Sequence, residues 1–277
     1  MKIAICNEMF ENVEWSDVCQ RVARFGYTGI EVAPFTLGNS PTKTSATNID
    51  EWKRVAADNG LEIVGLHWLL AKTTGYHLTS ADAEIRRRTA RYLGELALLS
   101  RELGGDLLVF GSPQQRSFSS NETHAIANAR AREVIEMVLP TLEESQVRLA
   151  LEPLGPAETN FWNTAEQARE FIDSIASPHV KLHLDVKAMA TEKHAIASVI
   201  RDSAQHLIHF HANDPNRLGP GMGDVGYEDI VAALKEIDYR GWLSVEVFDF
   251  SPGADVIAAS SIEYLQRQLS QQGLSPS

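Results

Sequence analysis

The chain has 277 residues, 44% of them hydrophobic and 22% charged, with a formal net charge of −12. That length accommodates one large α/β domain or two small ones. The acidic balance repels phosphate backbones and excludes nucleic acid as a partner, and no apolar run approaches the ~20 residues that cross a bilayer, so no membrane partner is expected either. "MKIAICNEMF" enters a strand pattern at once, without the apolar core and cleavage site of a signal peptide, and the chain reads as cytoplasmic. Cys6 and Cys19 form neither a disulfide framework nor a zinc cluster; Cys6 closes the first strand as a small core residue.

In chain order, "KIAIC" (2–6) predicts a first strand, and "SDVCQRVARFG" a helix that stops on glycine. "GIEVAP" (29–34) is a second strand, followed by the helical "DEWKRVAADNG", which again ends on glycine. "LEIVGLHW" (61–68) and "DLLVFGS" (106–112) flank a long helix near 81–103 whose "RRR" (86–88) reads as a solvated face; a second long helix follows near 121–144. "VRLALEPL" (147–154), "VKLHLDV" (180–186), "LIHFHAND" (207–214) and "LSVEVFD" (243–249) complete the strands. Helices are expected near 164–176, 193–202, 227–237 and 254–272, and "QQGLSPS" reads as a tail that frays from about 270. Eight strands alternating with eight helices specify a (β/α)8 TIM barrel over 1–277 as a single domain. The competing doubly wound sheet would carry a glycine-rich phosphate loop after the first strand, and "CNEMFENVEW" has none.

The active site of such a barrel lies at the C-terminal ends of its strands. The last four end on Glu152, Asp185, His211 and Glu246, each among apolar neighbours on an inward-facing position. Three carboxylates at one barrel mouth repel each other and resist desolvation. A single divalent cation removes both costs, and three oxygens with one imidazole favour Mn²⁺, with Mg²⁺ or Co²⁺ as alternatives, over a structural zinc. Ion pairs of these acids with Arg or Lys are the competing explanation.

From "LALEPLGPAETNFWNT" through "HLDVKAM" to "HFHANDPNRLGPGMGDVGYEDIVAALKEIDYRGWLSVEVFDF" the chain resembles the xylose isomerase-like barrels known as sugar phosphate isomerases/epimerases, nearest their ketose 3-epimerase branch. The resemblance covers nearly the whole chain. It implies that Glu152, Asp185, His211 and Glu246 bind one catalytic metal, and that Glu158 and Arg217 hold substrate hydroxyls. It also implies that Glu152 and Glu246 are the acid/base pair. One takes the proton beside a carbonyl to give a metal-bound enediolate, and the other returns a proton to the opposite face. The partner is then a small sugar or polyol. Barrels of this kind often dimerise, so a homo-oligomer is open.

One position departs from the ketose 3-epimerase pattern. A substrate-contacting histidine three residues after the sixth-strand aspartate is replaced here by Ala188, and Lys187 is the candidate substitute donor. The same alanine, with Gly111 and Ser112 at the fourth strand end, removes histidines that a three-zinc abasic-site endonuclease of this architecture needs. A keto-sugar lyase or dehydratase on the same metal site is the runner-up to an isomerase or epimerase, and a silent sugar-binding protein is disfavoured by the full ligand set. His67 and Trp68, ending the third strand, suit a sugar face as well as they suit packing. His183 and His209 fall one layer below the ligands, in supporting positions. Glu8, Trp15 and "GSPQQR" are placed near the mouth without a role, "GPGMG" (219–223) is a covering loop or a set of turns, and no basic cluster for a phosphate is evident at the mouth.

Overall fold

A computed structural model describes residues 1–275. Eight parallel strands, β1 (Lys2–Cys6), β2 (Gly29–Val32), β3 (Glu62–Leu66), β4 (Leu107–Phe110), β5 (Arg148–Leu151), β6 (Val180–Asp185), β7 (Leu207–Ala212) and β8 (Trp242–Val245), close in sequence order, with β1 pairing to both β2 and β8. The helices around them are α1 (Trp15–Phe25), α2 (Ala46–Asp58), α3 (Ala83–Leu103), α4 (His124–Ser145), α5 (Ala165–Ile175), α6 (Val186–Met189), α7 (Ile196–Asp202), α8 (Glu228–Glu236) and α9 (Ala254–Gln271). This is the expected (β/α)8 barrel, with one short extra helix, α6, grown directly from the end of β6.

Local chemistry sets the helix boundaries. Ser45, Asp82, Thr123 and Thr164 each accept a backbone N–H of the turn they open, which satisfies donors that have no partner within the helix. Gly26 ends α1 at φ 97°, a left-handed conformation that costs glycine least. Arg86 corrects the reading of "RRR" as wholly solvated. Its side chain is 10% exposed and pairs with Glu133 of α4 at 2.8 Å, while Arg87 and Arg88 remain exposed. The helix that leads to the C-terminus holds to Gln271, and Gly273 and Leu274 still donate to Ser270 and Leu269. The Met1 ammonium donates to the Ser275 carbonyl, so the expected fraying from about 270 does not start there; the rest of that tail, 276–277, lies outside the described residues.

The strands sort their side chains by alternation. Outward positions such as Ile3, Ile5, Ile30, Leu149 and Leu182 join the large core between barrel and helices. Inward positions start apolar, with Ala4, Val64, Leu107, Val109 and Ala150 in a small separate cluster. Two residues further along the strands the inward positions turn polar, at Cys6, Glu152, Asp185, His211 and Glu246, all buried. The barrel is therefore plugged by hydrocarbon at one end and holds ionisable groups at the other.

Candidate active site and metal centre

Four strands deliver the central cluster. Asp185 is the last residue of β6 and His211 lies within β7, while Glu152 and Glu246 stand one residue beyond β5 and β8. One ligand atom from each of the four lies within 4.8 Å of the others, and all four residues are buried. Among the described residues no Arg or Lys side chain forms an ion pair with any of the three carboxylates, so the competing ion-pair explanation finds no support. His211 Nδ1 and Glu246 Oε2 are 3.1 Å apart, and both are buried without a hydrogen-bond partner. Hard oxygen donors, one imidazole nitrogen and these unsatisfied atoms fit a divalent cation.

The electrostatics are unequal across the cluster. Burial, then the charges of Glu246 and Asp185, push the Glu152 carboxyl well above the ordinary range. Burial and then Glu246 push Asp185 up to about 6. Burial also opposes ionisation of Glu246, but His211 and then His67 outweigh it and hold that carboxyl below its usual range. In the metal-free cluster the two glutamates are thus pushed in opposite directions, Glu246 towards its charged form and Glu152 towards its neutral one.

The polar side chains around the four residues fix their orientation. Trp68 Nε1–H donates to Glu246 Oε1 at 2.7 Å. His67 stands between two carboxylates, with Nδ1 3.4 Å from Glu246 Oε1 and Nε2 3.3 Å from Glu8 Oε2. Glu8 also accepts the Val247 N–H at 3.4 Å, and burial raises its carboxyl to about 7. The Asp185 carboxylate accepts the Ala188 N–H on one oxygen at 2.8 Å and the Asn213 amide on the other.

His211 is held from behind by Glu31 of β2, with Nε2 3.1 Å from Oε1, and His209 Nε2 approaches the other oxygen of the same carboxylate at 2.7 Å. A carboxylate behind a ligating imidazole selects its tautomer and raises its basicity. His183 packs edge-on against His211, ring centroids 4.1 Å apart, with Nε2 3.8 Å from Glu152 Oε1. Both inner histidines thus occupy the supporting layer expected of them. Cys6 is buried as expected, yet it also touches the cluster, its Sγ 3.7 Å from His211 Nε2 and 3.5 Å from the Ser244 hydroxyl.

The remaining candidates lie at the rim. Glu158 and Lys187 meet each other, Nζ to Oε2 at 2.7 Å, and the ammonium also lies 4.6 Å over the Phe248 ring. Lys187 is mostly buried, its side chain 12% exposed, and so does not project to solvent. Phe248 stacks on Trp68 with centroids 6.0 Å apart. Arg217, exposed and at φ 75°, donates to the Phe248 carbonyl at 3.0 Å. Trp15 is directed away from the cluster: its indole N–H is spent on the Trp52 carbonyl in α2.

The model of the family described as xylose isomerase-like TIM barrel matches residues 19–268. The chain belongs to that family. Within this xylose isomerase-like group, a D-psicose 3-epimerase of Enterocloster bolteae is 29% identical over 245 residues, covering 87% of this chain and 79% of its own. An L-ribulose 3-epimerase of Methylomonas sp. is 33% identical over 235 residues, covering 82% and 76%. The crystal structure of a D-psicose 3-epimerase from Clostridium cellulolyticum H10 with D-tagatose superposes with a TM-score of 0.86 at 23% identity, over 97% of this chain and 99% of that one. This xylose isomerase-like barrel is accordingly an enzyme of the isomerase class.

Glu31, Asn213 and Arg116 are site residues that the sequence reading passed over. Glu31 carries the same signal as the other acids, a carboxylate inside an apolar strand, but on β2, away from the last four strands. Arg116 had no signal. It lies in the "GSPQQR" loop, yet it is fully buried, donates through Nη1 to the Glu152 carbonyl at 2.6 Å and has Nε and Nη2 unpartnered. Burial lowers its guanidinium to about 10.

Proposed function

We propose that this chain is a divalent-metal-dependent epimerase or isomerase that acts on a free ketose or related polyol by moving a proton beside the carbonyl. The single observation carrying this reading is the convergence of Glu152 and Glu246, from strands three apart round the barrel, on one set of donor atoms with Asp185 and His211. The ketose substrates of the relatives, D-psicose and L-ribulose, support the substrate class.

Glu152, Asp185, His211 and Glu246 would hold the metal, with Mn²⁺ ahead of Mg²⁺ or Co²⁺ because oxygen donors dominate the set. When bound, the cation supplies positive charge that polarises the substrate carbonyl and acidifies the adjacent C–H. Glu152 and Glu246 are the acid/base pair, one on each side of the cluster, and either one takes the proton while the other returns it. Trp68 and His67 hold Glu246 through Oε1 and so fix the orientation of its carboxylate. Reaction across two faces inverts a carbon; return to the neighbouring carbon gives isomerisation. At the rim, Glu158 and Arg217 serve substrate hydroxyls. The mostly buried Lys187 provides the donor that Ala188 cannot, and the Trp68–Phe248 stack covers an apolar sugar face.

The test is a screen of free ketoses and inosose-type polyols with Mn²⁺, run in D₂O and followed by NMR. Deuterium is expected at the inverted carbon. Glu152→Gln and Glu246→Gln should each slow turnover by ~10²-fold or more. Full-rate product from either variant, or a product without carbon-bound deuterium from a reaction that consumes water, overturns the reading.

A further inference from the structure

The loops after β2 and β3, with the N-terminal half of α3, border a pocket of about 490 Å³ that is open to solvent. Both loops leave the C-terminal ends of their strands, so the pocket lies on the same end of the barrel as the carboxylate cluster. Lys43, Lys72, Arg88 and Arg91 line it against a single acid, Glu95, in a chain whose net charge is −12. Glu95 already accepts the Thr42 hydroxyl at 2.9 Å. Lys72 pairs with Glu11. The Lys43 and Arg91 side chains have no hydrogen bond or ion pair among the described residues, and the Arg88 guanidinium uses one nitrogen, on the Gly75 carbonyl at 2.6 Å. Gly75 sits at φ +79°, a left-handed conformation that suits glycine, and it presents its carbonyl to that guanidinium.

Lys43, Arg88 and Arg91, exposed cations that line one concavity and outnumber its one acid, repel one another, and each gains from an anion placed between them. Two guanidinium groups offer forked N–H donors that match phosphate oxygens. Hydroxyls of Thr74 and Tyr76 add further donors, the Thr73 hydroxyl being spent on the Leu70 carbonyl at 2.7 Å, and the Tyr76 and Tyr92 rings stack at 4.6 Å beside them. We propose that this pocket binds the phosphate group of a small phosphorylated metabolite. It is a separate site from the carboxylate cluster, but it adjoins it: the Lys72 ammonium lies 4.3 Å over Phe35, whose ring is 6.0 Å from Trp68. The inference does not depend on the proposed reaction.

The full-length chain, loaded with Mg²⁺, is titrated calorimetrically with orthophosphate, D-fructose 6-phosphate and D-fructose. Both phosphates are expected to bind, and more weakly as salt rises, while D-fructose leaves their affinity unchanged. Equal affinity for the two identifies the inorganic anion as sufficient; an ester that binds at least ~10-fold tighter identifies a sugar phosphate. Arg91→Gln and Lys43→Gln should each weaken phosphate binding, and Arg88→Gln with Arg91→Gln together by ~100-fold. Asp185→Asn should bind phosphate as the wild type does. Lys43 lies in an exposed loop, so its variant remains informative if the arginine pair disturbs folding. Absence of phosphate binding at millimolar concentration overturns the proposal, as does binding that survives the Lys43 and arginine changes but is lost in Asp185→Asn.

Discussion

Glu152 rests against a residue that has no side chain. A Cβ built on Gly111 would lie 1.7 Å from Glu152 Oε2, a distance no relaxation of the methyl itself can relieve. Gly111→Ala should therefore push the carboxylate out of the cluster and lower Mn²⁺ affinity and turnover together, with a packing cost of about 1–3 kcal/mol. Calorimetry and a melting curve check both; unchanged Mn²⁺ affinity would mean that Glu152 does not hold the metal. Asp185 makes a second prediction, in pH. Its folded-state carboxyl, pushed up to about 6, lies above the ~3.9 of an unfolded aspartate. Its contribution to folding of the metal-free chain is thus fully present below about pH 4 and is lost as the pH rises through about 6. A metal needs the ionised form and reverses that sign. Mn²⁺ affinity should fall as the pH drops below about 6, by up to ~10-fold per pH unit for each proton displaced. Titrations in buffers of different ionisation enthalpy should show proton release; binding that is flat from pH 5 to 8 would count against Asp185 as a ligand.

At the scale of elements, the site depends on strand alternation and on how strands end. β7 places His209 and His211 on the same inward face, and β2 sets Glu31 against both. Burial opposes the charge on Glu31, but the two histidines outweigh it and hold the carboxyl well below its usual range. Glu31→Gln should lower Mn²⁺ affinity by ~10–100-fold without touching the metal directly. The variant should also melt lower, because it removes one partner of a buried charged cluster; wild-type affinity would show that His211 is oriented by other means. At the end of β6, Asp185 does two jobs. One carboxylate oxygen accepts the Ala188 N–H and opens α6. The Asn213 amide binds the other oxygen, and its carbonyl accepts the Lys187 N–H, so β7 and the β6–α6 junction are locked together.

For the whole molecule, closure is what brings the four residues together. β1 seals the sheet against β8, so strands far apart in sequence share one interior. Among the described residues no helix is long and apolar enough to cross a membrane. The polar end of the interior concentrates three carboxylates, two of which are pushed towards their neutral forms. A ligand that binds only the folded chain stabilises it by RT ln(1 + [L]/Kd), about 2.7 kcal/mol at a hundredfold excess over Kd. In a chain of 277 residues that amounts to roughly 4–5 °C in the melting temperature. Chelator should remove this increment and Mn²⁺ restore it; equal melting with and without chelator would argue against a metal centre that contributes to stability.

Much of this molecule is legible in the sequence because strands and helices announce themselves through local periodicity, and because an acid that ends an apolar run is costly wherever it occurs. Those two facts specified the barrel and singled out Glu152, Asp185 and Glu246, and the place of His211 at the intervening strand end added the imidazole. The chain alone did not show that the two rim candidates Glu158 and Lys187 neutralise each other, since their 29-residue separation closes only across a β5–β6 loop contact. Nor did it reveal Arg116, a loop residue whose burial behind Glu152 is a product of packing. The basic pocket was invisible for the same reason. Lys43, Lys72, Arg88 and Arg91 are scattered singly through loops and one helix face, where each looks solvated. Ligand types and their strand positions are local properties, fixed by which residues the sequence places in each run. Distances, burial and the sharing of charge are long-range properties, and only closure of the barrel, which superimposes loops 2 and 3 at one rim and strands 5 to 8 at one mouth, decides them.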